Sequence, residues 1–107
     1  EEFSRRLDAL RADYRDHLPD KIAAIHRLWR DAMSGVLPPS GLTELHRELH
    51  TLAGSAKTFG VAHVSELARA AESLLDPWCA RGSLPAATSA AEITRLLDAL
   101  PRSAAGT

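Results

Sequence analysis

Leu45-His46-Arg47-Glu48-Leu49-His50-Thr51-Leu52-Ala53-Gly54-Ser55-Ala56-Lys57-Thr58-Phe59-Gly60 is the stretch that decides how the rest of the chain is read. Leu42, Leu45, Leu49, Leu52, Ala56 and Phe59 recur at steps of three and four, which stacks them on one face of a helix. At about 100° per residue, His50 falls roughly 130° from the centre of that stripe and is expected to face solvent. Gly54, one turn on, lies almost opposite the stripe. A glycine inside a helix costs about 0.5–1 kcal/mol relative to alanine, and on a solvent face no intramolecular packing explains it. The spacing predicts an exposed imidazole beside a gap in the helix surface, where an outside partner comes close and does chemistry on the ring.

Outward from this helix the chain reads as further amphipathic helices. Phe3, Leu7, Leu10, Tyr14 and Leu18 form a stripe that predicts a helix over about residues 2–18. Pro19 is expected to break or kink it, because proline has no amide hydrogen and disfavours helical geometry in the residue before it. Ile22, Ile25, Trp29 and Ala32, flanked by Leu28 and Met33, carry a second stripe. Gly35-Val36-Leu37-Pro38-Pro39-Ser40-Gly41 is a loop by composition, with Ser40 as an N-cap for the central helix.

Gly60 is expected as the left-handed residue that ends the central helix. Val61 to Trp78 or Ala80 forms the next one, with Val64, Leu67, Ala68, Ala71, Leu74, Leu75 and Trp78 on one face. Pro77 is expected to kink or end it. Arg81-Gly82-Ser83-Leu84-Pro85 is a loop. Ser89-Ala90-Ala91-Glu92 reads as a capping box, followed by Ile93, Leu96, Leu97 and Leu100 facing inward. Pro101 and the small residues Ser103–Thr107 are expected to end the fold, with 102–107 frayed. Trp29, Trp78, Phe59 and Met33 fall on or beside apolar stripes and are expected in the core.

No strand-like alternation or internal repeat interrupts this pattern. Four or five helices with short loops predict an all-α fold, an antiparallel four-helix bundle with an additional N-terminal helical segment. The 107 residues make one domain spanning 1–107, with a core over about 3–101. A net charge of −1 gives no electrostatic reason to expect nucleic acid or an acidic membrane. No apolar run approaches the ~20 residues of a membrane span, and no signal peptide opens the chain. The single Cys79 rules out an internal disulfide framework and fits a reducing compartment, so a cytoplasmic location is expected. The opening Glu1-Glu2-Phe3, without a methionine, fits a domain cut from a longer protein.

The run His50-Thr51-Leu52-Ala53-Gly54-Ser55-Ala56-Lys57-Thr58-Phe59-Gly60 resembles the signature of histidine-containing phosphotransfer (HPt) domains. That signature has an apolar residue two after the histidine, often a lysine at three, a glycine at four and a second glycine at ten. The resemblance is specific over residues 40 to 77 and rests on helical pattern elsewhere. It implies that His50 carries a phosphoryl group between receiver domains, or between a kinase and a receiver. It further implies that Glu72 stands where a family residue hydrogen-bonds the phosphorylated imidazole. The frequent lysine is replaced here by Ala53.

The residues themselves support that chemistry. Imidazole is a good nucleophile, partly neutral near pH 7, and a helix fixes its angle for in-line attack on phosphorus. The ring nitrogen distal to the backbone is expected to react, because it protrudes furthest. Glu72 lies about 100° from the core stripe of its helix, on a flank shared with Ser65 and Arg69. From there a carboxylate can accept from the proximal ring nitrogen and leave the distal one free. Glu66 faces further out. Lys57, two turns after His50 on nearly the same azimuth, is a candidate to attract the phosphoryl group. Glu72 and Lys57 also read as ordinary solvated side chains.

Gly54, Ala53, Arg47, Ser55 and Arg69 are the candidates for partner docking. His46 and His50 have a spacing that can present two nitrogens to zinc. However, Glu48 is one place late for the HExxH pattern, and His17, His26, His63 and Cys79 supply no matching ligands, so no metal is expected. No nucleotide cradle is visible. The leading expectation is therefore a phosphorelay carrier that is not itself an enzyme. Its partners are a response-regulator receiver domain and/or a histidine kinase, and magnesium is held by the receiver. Two rivals share the scaffold: the phosphoacceptor module of a chemotaxis-type histidine kinase, and a helical scaffold domain without phosphotransfer.

Overall fold

A single helix, α1 (Glu2–Met33), runs through Pro19 in the computed structural model, which describes residues 1–35 and 41–105. The expected break at Pro19 is absent, and the two predicted N-terminal helices are one. Proline in a helix interior is unfavourable by about 3 kcal/mol. On either side of it, Tyr14, Leu18, Ile22, Ile25 and Trp29 are all buried. At about 1.5–3 kcal/mol per fully buried side chain, packing that continues past the defect outweighs it.

Three more helices follow: α2 (Gly41–Thr58), α3 (Ala62–Arg81) and α4 (Ala87–Ala105). The predicted loop over 36–40, with the Ser40 cap, lies outside the described residues, as do 106–107. Pro77 and Pro101 also sit inside helices rather than ending them. Like Pro19, both prolines are themselves exposed. Residues 102–105 are consequently helical, and Ala104 packs against the core. The capping box is displaced as well. Since α4 begins at Ala87, Ser89 is already inside the helix, and Glu92 pairs with Arg95 at 3.1 Å.

Each helix packs on two neighbours: α2 on α3, α3 on α4, and α1 against both α2 and α4. Trp29 donates its indole N–H to Thr94 Oγ1 at 3.0 Å, joining α1 to α4. The apolar stripes meet in one core that includes Leu42, Leu45, Leu49, Leu52, Ala56, Val64, Leu75, Ile93 and Leu97. Met33, expected inside, is exposed at the end of α1.

The molecule measures 51 × 21 × 21 Å because α1 is far longer than its neighbours. At 1.5 Å per residue α2 reaches only about 27 Å, so the first turns of α1 overhang the bundle. The additional N-terminal segment expected over about residues 2–18 is therefore the first half of α1 and not a separate helix. Phe3 is 74% exposed and Leu10 56%, so only the Tyr14 and Leu18 end of the first stripe is covered.

At the other junction the α2–α3 turn is tight. Gly60 has φ +82°, a left-handed conformation that favours glycine. Its N–H bonds the Lys57 carbonyl at 3.3 Å, and the next N–H, of Val61, reaches back to Ala56 at 2.7 Å. Val61 is fully buried. That closure sets the axial register of α3 against α2, and the site depends on it.

Candidate functional site

His50 stands on the outer side of α2, with its side chain 71% exposed. The orientation follows from the sequence: Leu49 and Leu52 are buried and leave position 50 on the far side of the helix. The ring is nonetheless held. Its Nδ1 lies 2.7 Å from Glu72 Oε2 on α3. A carboxylate only accepts, so Nδ1 carries the proton and Nε2 keeps its lone pair. Glu72 is 15% exposed at its side chain, tucked into the α2–α3 seam. Glu66 points away and meets His63 at 3.7 Å.

The antiparallel register repeats one turn back. His46, four residues before His50, hydrogen-bonds through Nε2 to Asp76 Oδ1, four residues after Glu72. The same His46 nitrogen lies 3.9 Å from Glu72 Oε2. His46 and Asp76 were not legible as site residues, although their matched four-residue offsets were visible. Spacing shows that each pair shares a helix face but not that the two faces meet. The Nε2 of His46 is turned to Asp76. Among the described residues no group of three His, Cys, Asp or Glu side chains is placed to hold a metal ion.

Gly54 is exposed, and a Cβ built there would meet nothing within 4 Å. The notch beside His50 is therefore not filled by any of the described residues. Ala53 requires a correction. Expected at the docking surface, it is 1% exposed and part of the core. Its carbonyl accepts the hydroxyl of buried Ser65 at 2.7 Å, so position 53 is spent on bringing α2 and α3 together.

Ser55 is likewise mainly internal. It is half-buried, 2.7 Å from the Tyr14 hydroxyl, and Tyr14 stacks on Phe59 with ring centroids 4.8 Å apart. Burial pushes the Tyr14 phenol above its ordinary pKa, with the Ser55 hydrogen bond opposing in part. Lys57 and Arg69 are exposed and line a shallow groove with Gly60, Ala62, Ser65 and Glu66, continuing the seam beyond Gly54. Arg47 is exposed and pairs with Glu44 at 3.2 Å.

The bundle thus holds the His50 imidazole outward on a carboxylate, beside an open notch. The family model for the Hpt domain matches residues 9–105, nearly the whole chain, and the chain belongs to that family. No curated protein and no solved structure matches it. Hpt domains are phosphocarrier modules of phosphorelay signalling, without an ATP site, and they interact with receiver domains and kinases. No helix of the described residues is long and apolar enough to cross a membrane.

Proposed function

We propose that His50 reversibly accepts a phosphoryl group from, and returns it to, the aspartate of a response-regulator receiver domain. The observation that carries the reading is an exposed imidazole whose Nδ1 is held 2.7 Å from a mostly buried carboxylate. The Nε2 lone pair attacks phosphorus in line. An Nε2–P bond forms as the acyl O–P bond breaks, and the receiver aspartate leaves as a carboxylate. The Nδ1 proton stays on the ring, which becomes a cation, and Glu72 stabilises that developing charge. The return step is the reverse, so no proton has to enter or leave. Magnesium belongs to the receiver in this reading.

Docking uses the open face around His50 and Gly54. Lys57 and Arg69, further along the seam, offer positive charge to an acidic receiver surface. Incubation with a phosphorylated receiver tests the proposal through acid-labile label on this chain. His50→Gln is expected to abolish labelling with helical content unchanged. Full-rate labelling of His50→Gln would sink the assignment.

A further inference from the structure

We infer that the overhanging start of α1 is a self-association surface, covered when a second copy of this chain lays its own overhang alongside in the opposite direction. Phe3, Leu7 and Leu10 continue the Tyr14 stripe past the end of the bundle. Phe3 and Leu10 are 74% and 56% exposed, and Leu7 between them is only half-buried. Their spacing of four, three and four residues up to Tyr14 is that of a two-stranded coiled-coil seam. At its inner end the stripe runs into a pocket lined by Leu10, His17, Lys21 and the stacked rings of Tyr14 and Phe59. One face of α1 therefore carries a protruding phenyl group and, eleven residues on, an apolar pocket.

Antiparallel pairing with Leu7 opposite the second copy's Leu10 puts Phe3 at the mouth of that copy's pocket. The two-fold axis repeats both contacts, so the patch is complementary to itself. The paired length is that of the overhang: from Phe3 to Tyr14 is roughly 17 Å of helix, and the two bundles stand at opposite ends of it.

Charge chooses the direction. Arg6 and Asp13 lie along one flank of the seam, and Ser4 and Arg11 along the other. Antiparallel helices bring like flanks together, so Arg6 meets the second copy's Asp13, twice by symmetry, while Arg11 meets Ser4. Parallel helices would set Arg6 against Arg11 and form no opposite pair. The Arg6 and Asp13 side chains are 76% and 73% exposed. Their contacts within one chain, Arg6 with Glu2 and Asp13 with His17, are 3.6 Å surface pairs of one turn that are easily exchanged. Three apolar side chains from each copy make a small interface, below the roughly 1,200 Å² of stable complexes, so the Kd is expected above about 1 μM. Among the described residues α1 packs on α2 and α4 and not on α3. The surface is thus separate from the Glu72–His50 seam, and the inference does not depend on what His50 does.

Sedimentation of this chain from micromolar to millimolar concentration tests it. Wild type is expected to pass from monomer to dimer, and X-ray scattering to show a rod about one and a half times the 51 Å monomer length. Phe3→Asp and Leu10→Asp are each expected to raise the Kd about tenfold or more. The thermal midpoint of the dilute protein stays at its wild-type value, because both side chains are exposed in the monomer. Arg6→Asp sets acid against acid and weakens the dimer about threefold. Combining Arg6→Asp with Asp13→Arg reverses the pair and restores the wild-type affinity. A chain that stays monomeric at millimolar concentration overturns the inference. So does a dimer indifferent to Phe3→Asp and Leu10→Asp, or one that Arg6→Asp strengthens, as parallel pairing would require.

Discussion

Glu72 reaches His50 from the neighbouring helix, its Oε2 2.7 Å from Nδ1, and so fixes Nε2 as the ring nitrogen that keeps its lone pair. One hydrogen bond settles both tautomer and ring angle, because an exposed imidazole on a single helix would otherwise turn freely. The carboxylate that does this is itself held in the α2–α3 seam at 15% exposure.

Glu72→Gln keeps the size of the side chain and removes its charge. The amide can still accept from Nδ1 but no longer offsets a cationic ring. Transfer onto His50 is expected to slow about tenfold, equivalent to about 1.4 kcal/mol of lost transition-state stabilisation. Helical content and the thermal midpoint are expected to stay near wild type. Stopped-flow transfer from a phosphorylated receiver measures the first, and circular dichroism the second.

Gly54 separates stability from docking. A Cβ there meets nothing, so Gly54→Ala is expected to stabilise the domain by about 0.5–1 kcal/mol. Gly54→Arg also fits the isolated domain but fills the notch where we propose that the partner docks. Its transfer rate is expected to fall about tenfold or more, or about 1.4 kcal/mol, with the fold intact. Stability and transfer moving in opposite directions at one position is the diagnostic result. Unimpaired transfer by Gly54→Arg would place docking elsewhere.

Gly60 is the opposite case. Its φ of +82° is a conformation that L side chains rarely adopt. Gly60→Ala is expected to destabilise by about 1–2 kcal/mol although there is open space for the methyl group. Denaturant melts compared with Gly54→Ala would show a glycine inside α2 and the glycine of the turn after it responding with opposite signs.

Tyr14 ties the long helix to α2 through Ser55 and Phe59. Tyr14→Phe keeps the stacking and loses the hydrogen bond, at about 0.5–1.5 kcal/mol. The phenol also makes stability depend on pH. Its folded pKa is raised from 10.0, chiefly by burial, so the folded state holds the proton more tightly than the unfolded one. That contribution is complete below pH 10.0 and is lost as pH rises through the raised folded value. Unfolding curves across that alkaline range should fall more gently for Tyr14→Phe than for wild type.

Much of this arrangement could be read from residue order. The three-and-four spacing of Leu42 through Phe59 put His50 on the outside of α2, and the unexplained glycine one turn on marked an open notch. The flank position of Glu72 on its own helix allowed a reach across to α2. Each of these is a statement about azimuth on one helix, which the 3.6-residue period fixes locally.

The misread features involve a second helix. Pro19, Pro77 and Pro101 looked like breaks because local propensity opposes them, yet burial on both sides carries the helices through. Ala53 looked like a docking residue, but the Ser65 hydroxyl and the core of α3 cover it. His46 read only as a second nitrogen for zinc beside His50, whereas its contacts are Asp76 and Glu72 of α3.

The sequence by itself determined the helices, their buried faces and the imidazole that points outward, since all three follow from periodicity along one chain segment. Only the tertiary structure decided that Glu72 meets His50, that Asp76 meets His46 and that Ala53 is sealed inside. Those facts depend on how far α3 slides and turns against α2, and that is set by the Gly60 turn and core packing together.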